Sequence, residues 1–562
     1  MHSSTGKPCH NCRRRRLRCD RSWPTCHKCV VSGQECLGYG KLFVWTQGID
    51  EHGKVKSSSG RRVARSPALN SSPPTASSTP NQSFSAFSPP ASAAAGPSRQ
   101  PSNHGQAQPQ FQHVFASRPA SPSAAASEPV PNSAPSSSSG GALTDPVFQD
   151  LDRNSRYYLA YFAERVCQDL VARDQPNNNP FRELVPLTKK HPLLLQILIA
   201  TSAIHWSNIF RPITDIPTGL SDPGGYLAQL RSKDLVSRQA LIDALTAKQK
   251  AMGHLREVLD TLDPAGSEVA LAAMHFFIKF DLIDLDKDRS RGWKTHLEGA
   301  ASIMALLTPD NLTPASSRML RDTVIADCFI YHILGSTLSS GGLAARIARY
   351  AFELLPVMKR VEVSSYLSCP PEILKIILVA SQLSYETPSS TDWSLPAADE
   401  ALALIDQALA FDINAWAESL QGRPNVTDIE SRIHIASAHR SAACLYILQA
   451  LPLVRSVRSV DADFLVEDIL AHLSAVGEED TFFKATSWPT FIAGAETRDA
   501  EKRTWMMKRL LAIWTRFRWG YIFTAIEMLK ATWQLQDAAG PGVDGVNWLQ
   551  DLKGLGFDNL IV

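Results

Sequence analysis

At 562 residues, with 44% hydrophobic and 20% charged residues, the chain is long enough for a small module plus a large domain or two. Its formal charge of +2 hides an asymmetry: residues 1–65 hold 14 lysines and arginines against 4 acids, net +10, and the remainder 43 against 51, net −8. A basic head on an acidic body fits nucleic acid at one end and protein partners at the other. The longest apolar run, near Leu193–Trp206, is interrupted by Gln196, Thr201, Ser202 and His205. It is too short and too polar to span a bilayer, so a soluble chain without a membrane segment is expected.

The chain opens on CHNCRRRRLRCDRSWPTCHKCVVSGQEC, from Cys9 to Cys36. The cysteines form two halves of identical spacing, C-x2-C-x6-C, divided between Cys19 and Cys26. A C-x2-C turn brings two thiolates to one metal, and six further residues leave room for a short helix before a third returns. Two tetrahedral zinc ions need eight ligand positions. Cys9, Cys12, Cys19, Cys26, Cys29 and Cys36 fill eight only if two of them bridge, and the pseudo-symmetry selects Cys9 and Cys26. A disulfide framework would need an oxidising compartment, yet residues 1–8 contain no apolar core of a secretory signal.

The halves differ in charge. Arg13, Arg14, Arg15, Arg16 and Arg18 crowd the first, whereas the second has VVSGQE between Cys29 and Cys36. Two zinc ions and six thiolates sum to −2, so the arginines must supply any attraction to phosphate. Arginine also offers a planar fork that can grip guanine O6 and N7 in the major groove. The first half is therefore expected to face DNA, with Lys7 and Lys28 adding charge beside it.

This stretch resembles the binuclear zinc-cluster DNA-binding domain of fungal transcription factors, whose usual pattern runs C-x2-C-R-x-R-K-x-K-C-D. Arg13, Arg15, Cys19, Asp20 and Pro24 match it; Arg16 and Arg18 stand where the family most often has lysines. The resemblance implies one zinc on Cys9, Cys12, Cys19 and Cys26, and the other on Cys9, Cys26, Cys29 and Cys36. It places the principal base-reading residue at Arg16, with Arg15 beside it, and implies a CGG-like half-site.

Residues 37–65 form a basic, aromatic tail in which Gly38, Gly40, Gly48 and Gly53 break any helix. No apolar heptad follows the cysteines, so a fragment 1–65 is expected to be monomeric. From Ser66 to Ala142 there are 14 prolines and 20 serines in 77 residues, with only Arg99, Arg118 and Glu128 charged. Such a segment buries too little apolar surface to offset the entropy of ordering it, and reads as a disordered tether. Ser66, Ser72, Thr79, Ser88 and Ser121 each precede a proline and are candidate phosphorylation sites. The boundaries expected are 1–45 for the cluster, 46–144 for tail and tether, and 145–562 for the body.

From about Asp145 the pattern is helical. Leu159, Phe162, Val166 and Leu170 lie on one helical face. Further helices are expected around 226–263, 267–285, 293–307, 316–357, 371–385, 397–421, 427–454 and 499–536. No run of alternating strands appears, so the body reads as an all-α array of antiparallel helices. Within it, 177–208, 295–304 and 488–503 resemble the fungal-specific regulatory domain found behind many zinc clusters, which implies a helical regulatory role and transfers no catalytic residue.

Other constellations lead nowhere. Asp284, Asp286 and Asp288 open like a calcium loop but have Arg289 and Thr295 where glycine and glutamate belong, and read as a solvated acidic helix end. No catalytic signature motif is present. His205, His296, His434 and His439 read as satisfied core or surface histidines, Cys167, Cys328, Cys369 and Cys444 as buried thiols, and Trp488, Trp505, Trp514, Trp519 and Trp533 as packing. The acid-rich stretch from Asp461 reads as an amphipathic helix. The sequence thus points to a nuclear, zinc-dependent, DNA-binding regulator of transcription, not an enzyme, holding two zinc ions and meeting co-regulators through its body. Two alternatives stand beside it: a small-molecule-sensing helical protein tethered to DNA, and a zinc-dependent protein-interaction module that leaves the arginines without a role.

Overall fold

A computed structural model of the chain describes residues 8–9, 12, 17–21 and 26–32, and residues 148–562 apart from short connecting stretches. It divides into two units, Met1–Pro131 and Asn132–Val562. In the first, helix α1 spans His27–Val31. The basic tail, the tether and its serine–proline sites lie outside the described residues.

The second unit is all-α, with no strand among its described residues. Its main helices are α2 Arg153–Tyr161, α3 Pro192–Ser207, α4 Pro223–Lys233, α5 Leu235–Asp260, α6 Pro264–Ile283, α7 Trp293–Met304 and α8 Ala315–Leu338. There follow α9 Ala351–Val361, α10 Pro371–Glu386, α11 Leu395–Ala410, α12 Ile413–Gln421 and α13 Ile429–Ala450. The last five are α14 Ala462–Ala475, α15 Ser487–Glu496, α16 Ala500–Phe517, α17 Tyr521–Ala539 and α18 Trp548–Gly554. Asp152, Asp222, Asp234, Asp412, Asp461 and Asp499 each accept a backbone N–H from the first turn of the helix that follows, satisfying donors with no partner inside the helix.

Helix α3 packs most extensively against α5 and α6, and α13 sits among α10, α11, α14 and α15. A continuous apolar core runs through both groups, from Tyr158 near the start of the unit to Val562. Four expected long helices are each divided. The stretch 226–263 divides at Asp234, which caps α5. The stretch 397–421 divides at Asp412, which caps α12. The stretch 499–536 divides at Arg518, whose φ of 60° stops α16. Expected 316–357 covers α8 and the start of α9, with a break after Leu338.

The acid-rich stretch from Asp461 is the amphipathic helix α14, with Leu465, Val466, Ile469 and Leu473 buried. Cys167, Cys328, Cys369 and Cys444 are buried thiols. Asp284 departs from its expected role. It is buried, with Arg231 Nη2 at 3.0 Å from its carboxylate, and Asn208 beside them donates to the carbonyls of Ile283 and Arg518 at 2.8 and 3.0 Å. The end of α6 is a junction between helices rather than a solvated tip; Asp288 lies outside the described residues.

Candidate metal centre and nucleic-acid interface

The thiols of Cys9, Cys12, Cys19 and Cys26 all lie within 4.8 Å of one another. Four sulfurs at tetrahedral corners, each about 2.3 Å from a zinc ion, are about 3.8 Å apart. The observed spacings fit: Cys9 Sγ to Cys26 Sγ is 3.5 Å and Cys12 Sγ to Cys26 Sγ is 3.7 Å. Cys29 Sγ lies 3.8 Å from Cys9 Sγ, so Cys9 neighbours sulfurs of both halves. Cys36 lies outside the described residues.

The backbone repeats the sequence symmetry. The Cys12 N–H points at Cys9 Sγ (3.4 Å), and the Cys29 N–H at Cys26 Sγ (3.3 Å), the same contact in each half. Both target sulfurs are those the spacing selects as bridges. N–H donors beside a sulfur spread thiolate charge, which suits atoms shared by two cations. Burial pushes the Cys9 thiol up to about 12 and raises that of Cys12. Cys19 differs: burial raises it, but N–H groups of Cys9 and Arg21 outweigh that and bring it to about 7.

Asp20 joins the halves, and the sequence reading noted it only as a motif match. Its carboxylate accepts the backbone N–H of His27 at 2.9 Å and of Lys28 at 3.3 Å, closing the N-terminus of α1. Arg18 and Lys28 are exposed, as a duplex contact requires. Leu17 is also largely exposed, its N–H bonded to the Cys12 carbonyl at 2.8 Å. Lys7, Arg13, Arg14, Arg15 and Arg16 lie outside the described residues.

In the helical unit the histidines are engaged as expected. His205 Nδ1 is 2.8 Å from the Tyr161 hydroxyl, His439 Nδ1 bonds the Ile435 carbonyl at 2.9 Å, and His434 pairs with His472. His296 stacks on Phe277 at 4.9 Å. Among the described residues, no further group of three metal-ligating side chains converges, and no helix is long and apolar enough to cross a membrane.

Comparison with known proteins gives a consistent result. Residues 7–43 match the fungal Zn(2)-Cys(6) binuclear cluster domain, and residues 157–556 match the fungal specific transcription factor domain. The chain is 34% identical to the acriflavine sensitivity control protein acr-2 of Neurospora crassa, over 100% of this chain and 98% of that protein. No solved structure matches.

Proposed function

The chain belongs to the fungal transcription factors that join a Zn(2)-Cys(6) binuclear cluster to a fungal specific transcription factor domain, and from that premise we propose how it works. It is a zinc-binding, DNA-binding transcription factor of a family that is not one of enzymes. In our reading it acts in the nucleus, holds two zinc ions per chain through Cys9, Cys12, Cys19, Cys26, Cys29 and Cys36, and reads CGG-like half-sites. Residues 1–45 bind DNA, 46–144 tether, and 145–562 receive signals and meet co-regulators. The likeness to a control protein of acriflavine sensitivity supports target genes that set tolerance to toxic compounds.

The observation that carries this reading is the sulfur cage of Cys9, Cys12, Cys19 and Cys26, with Cys29 beside Cys9. Zinc, when bound, supplies the positive charge that lets the buried thiols ionise together and adds its binding energy to folding. Cys9 and Cys26 hold the halves in register, and Asp20 fixes α1 against the first half. In this reading Arg16 and Arg15 read base edges, and Arg13, Arg14, Arg18, Lys7 and Lys28 meet phosphates.

The test separates the two roles by titrating mutants against a preferred and a scrambled duplex at several salt concentrations. Arg16→Ala is expected to cost about 1–3 kcal/mol on the preferred site and to flatten discrimination. Arg13→Ala and Arg18→Ala should weaken binding to both duplexes and reduce the salt slope by about one. Equal weakening of both duplexes by Arg16→Ala would reduce it to a phosphate contact. Mass spectrometry under non-denaturing conditions should find two zinc ions per chain; one would rule out the bridged arrangement.

A further inference from the structure

Helices α13 and α14 pack side by side, and an imidazole from each faces the other. His434 Nδ1 and His472 Nδ1 are 2.9 Å apart, with ring centroids separated by 5.2 Å and planes inclined by 52°. A neutral imidazole has one N–H and one bare nitrogen, and two bare nitrogens do not approach this closely with nothing between them. One Nδ1 of the pair therefore holds a proton toward the other, or a cation takes the place of that proton.

The surroundings decide which nitrogen of His472 is bare. Its Nε2 lies 3.5 Å from a carboxylate oxygen of Asp468, one turn earlier on α14. The other Asp468 oxygen accepts the hydroxyl of Ser441, on α13, at 2.6 Å, so both helices hold this carboxylate in place. A carboxylate beside Nε2 keeps the proton there and leaves the Nδ1 lone pair toward His434. Metal-binding histidines use the same arrangement, in which the outer carboxylate fixes the tautomer and makes the ligand nitrogen more basic. Of the charges acting on His472, that of Asp468 outweighs the opposing one of Arg440, so the place is not hostile to a cation.

The separation selects the class of ion. With metal–nitrogen bonds of about 2.0–2.1 Å, two nitrogens at the right angle of a tetragonal site stand about 2.9 Å apart, and at a tetrahedral angle about 3.3 Å apart. The observed 2.9 Å fits the right angle, and nitrogen ligands in tetragonal geometry suit Cu2+ and Ni2+. The His472 side chain is 24% exposed, which gives an ion a way in and leaves its remaining positions to water. We propose that His434 and His472 form a two-histidine site for a divalent ion of the nickel and copper class, with Asp468 as positioning residue, and that the bound ion clamps α13 to α14. The site shares no residue with the cysteine cage and stands independently of the regulator reading.

The experiment titrates the zinc-loaded full chain with nickel chloride, measuring bound nickel by equilibrium dialysis and the urea midpoint of the helical unit by circular dichroism. Wild type should bind one Ni2+ that the histidine variants lack, and saturating Ni2+ should raise its midpoint, because an ion held only by the folded arrangement stabilises it. His434→Gln and His472→Gln should each lower the affinity for this ion at least about tenfold and abolish the rise in midpoint, and Asp468→Ala should weaken binding about tenfold. Nickel bound elsewhere on the chain is retained by the variants and cancels in the difference. Midpoints without nickel show that each variant folds; if one histidine variant does not, the other decides. A wild type that binds no more Ni2+ than the folded histidine variants, or a midpoint that Ni2+ leaves unchanged, overturns the site and reduces the pair to a shared proton. None of these results bears on DNA binding, which the arginine mutants test separately.

Discussion

The carboxylate of Asp20 takes N–H bonds from His27 and Lys28, so a side chain of the first half closes the open end of a helix in the second. A helix of five residues has little stability of its own, and most of its backbone donors lie at its start. Asp20 therefore holds the geometry in which Cys26 and Cys29 present their sulfurs. Asp20→Ala should cost about 1 kcal/mol, the usual loss for a cap, and Asp20→Asn less, since an acceptor oxygen remains. The measurement is the rate of zinc transfer to a chelator: Asp20→Ala should release metal faster than wild type, and Asp20→Asn should fall between them. Identical rates for all three would mean that metal ligation alone orders α1. The pattern around Cys19 marks Asp20 as part of a motif, but its partners are backbone atoms seven and eight residues away, which no side-chain pattern reveals.

At the scale of elements, the turn between α16 and α17 shows how closely helices are joined here. A Cβ on Gly520 would lie 2.2 Å from the Asp284 carbonyl oxygen, and the Gly520 N–H already bonds the Ile283 carbonyl at 3.1 Å. Backbone cannot yield as a side chain can, so Gly520→Ala should destabilise by about 3 kcal/mol or more. Gly253, inside α5, has nothing within 4 Å of its would-be Cβ, and Gly253→Ala should stabilise by about 0.5–1 kcal/mol. Urea denaturation of the two variants should move in opposite directions; a Gly520→Ala protein as stable as wild type would show that the junction is loose. Periodicity located most helices, because one face of each is apolar. It passed over α3, where twelve of sixteen residues are buried and no polar face remains to set a period. It also ran through Asp234, Asp412 and Arg518, where capping or a single left-handed residue ends a helix without a proline. The cysteine cluster was legible because metal ligation constrains spacing within one short stretch. The buried contacts of Lys279 with Tyr331 and Asp327, and of Asp327 with His275, were not, since the partners lie about fifty residues apart in sequence and each residue reads alone as packing.

For the molecule as a whole, the core contains histidines that fold uncharged, and this sets how it responds to acid. Burial drives His275 down to about 4, with Lys279 pushing the same way against the opposing pull of Asp327. Burial and Lys248 bring His296 to about 3, and burial brings His439 to about 4 against its bond to the Ile435 carbonyl. Each folded value lies below that of an unfolded histidine, about 6.5. As pH falls through 6.5 the unfolded chain takes up protons that the folded chain refuses. The stability from these groups is therefore complete above about 6.5 and is lost as pH falls toward their folded values. Each contributes a slope of roughly 1.4 kcal/mol per pH unit. Asp281 works the other way: burial raises it to about 6 despite Lys248, so between about 6 and 4 the folded state takes up its proton first and gains stability. Among these four groups, three histidines against one carboxylate favour a loss of stability below pH 6. Urea midpoints measured at pH 7, 6 and 5 should fall steeply over the last interval. His439→Leu, whatever it does at pH 7, should lower that slope by roughly one proton's worth, about 1.4 kcal/mol per unit. A midpoint unchanged between pH 7 and 5 would mean that these histidines take up protons in the folded state, by reaching solvent or pairing with carboxylates, and so do not set the response to acid.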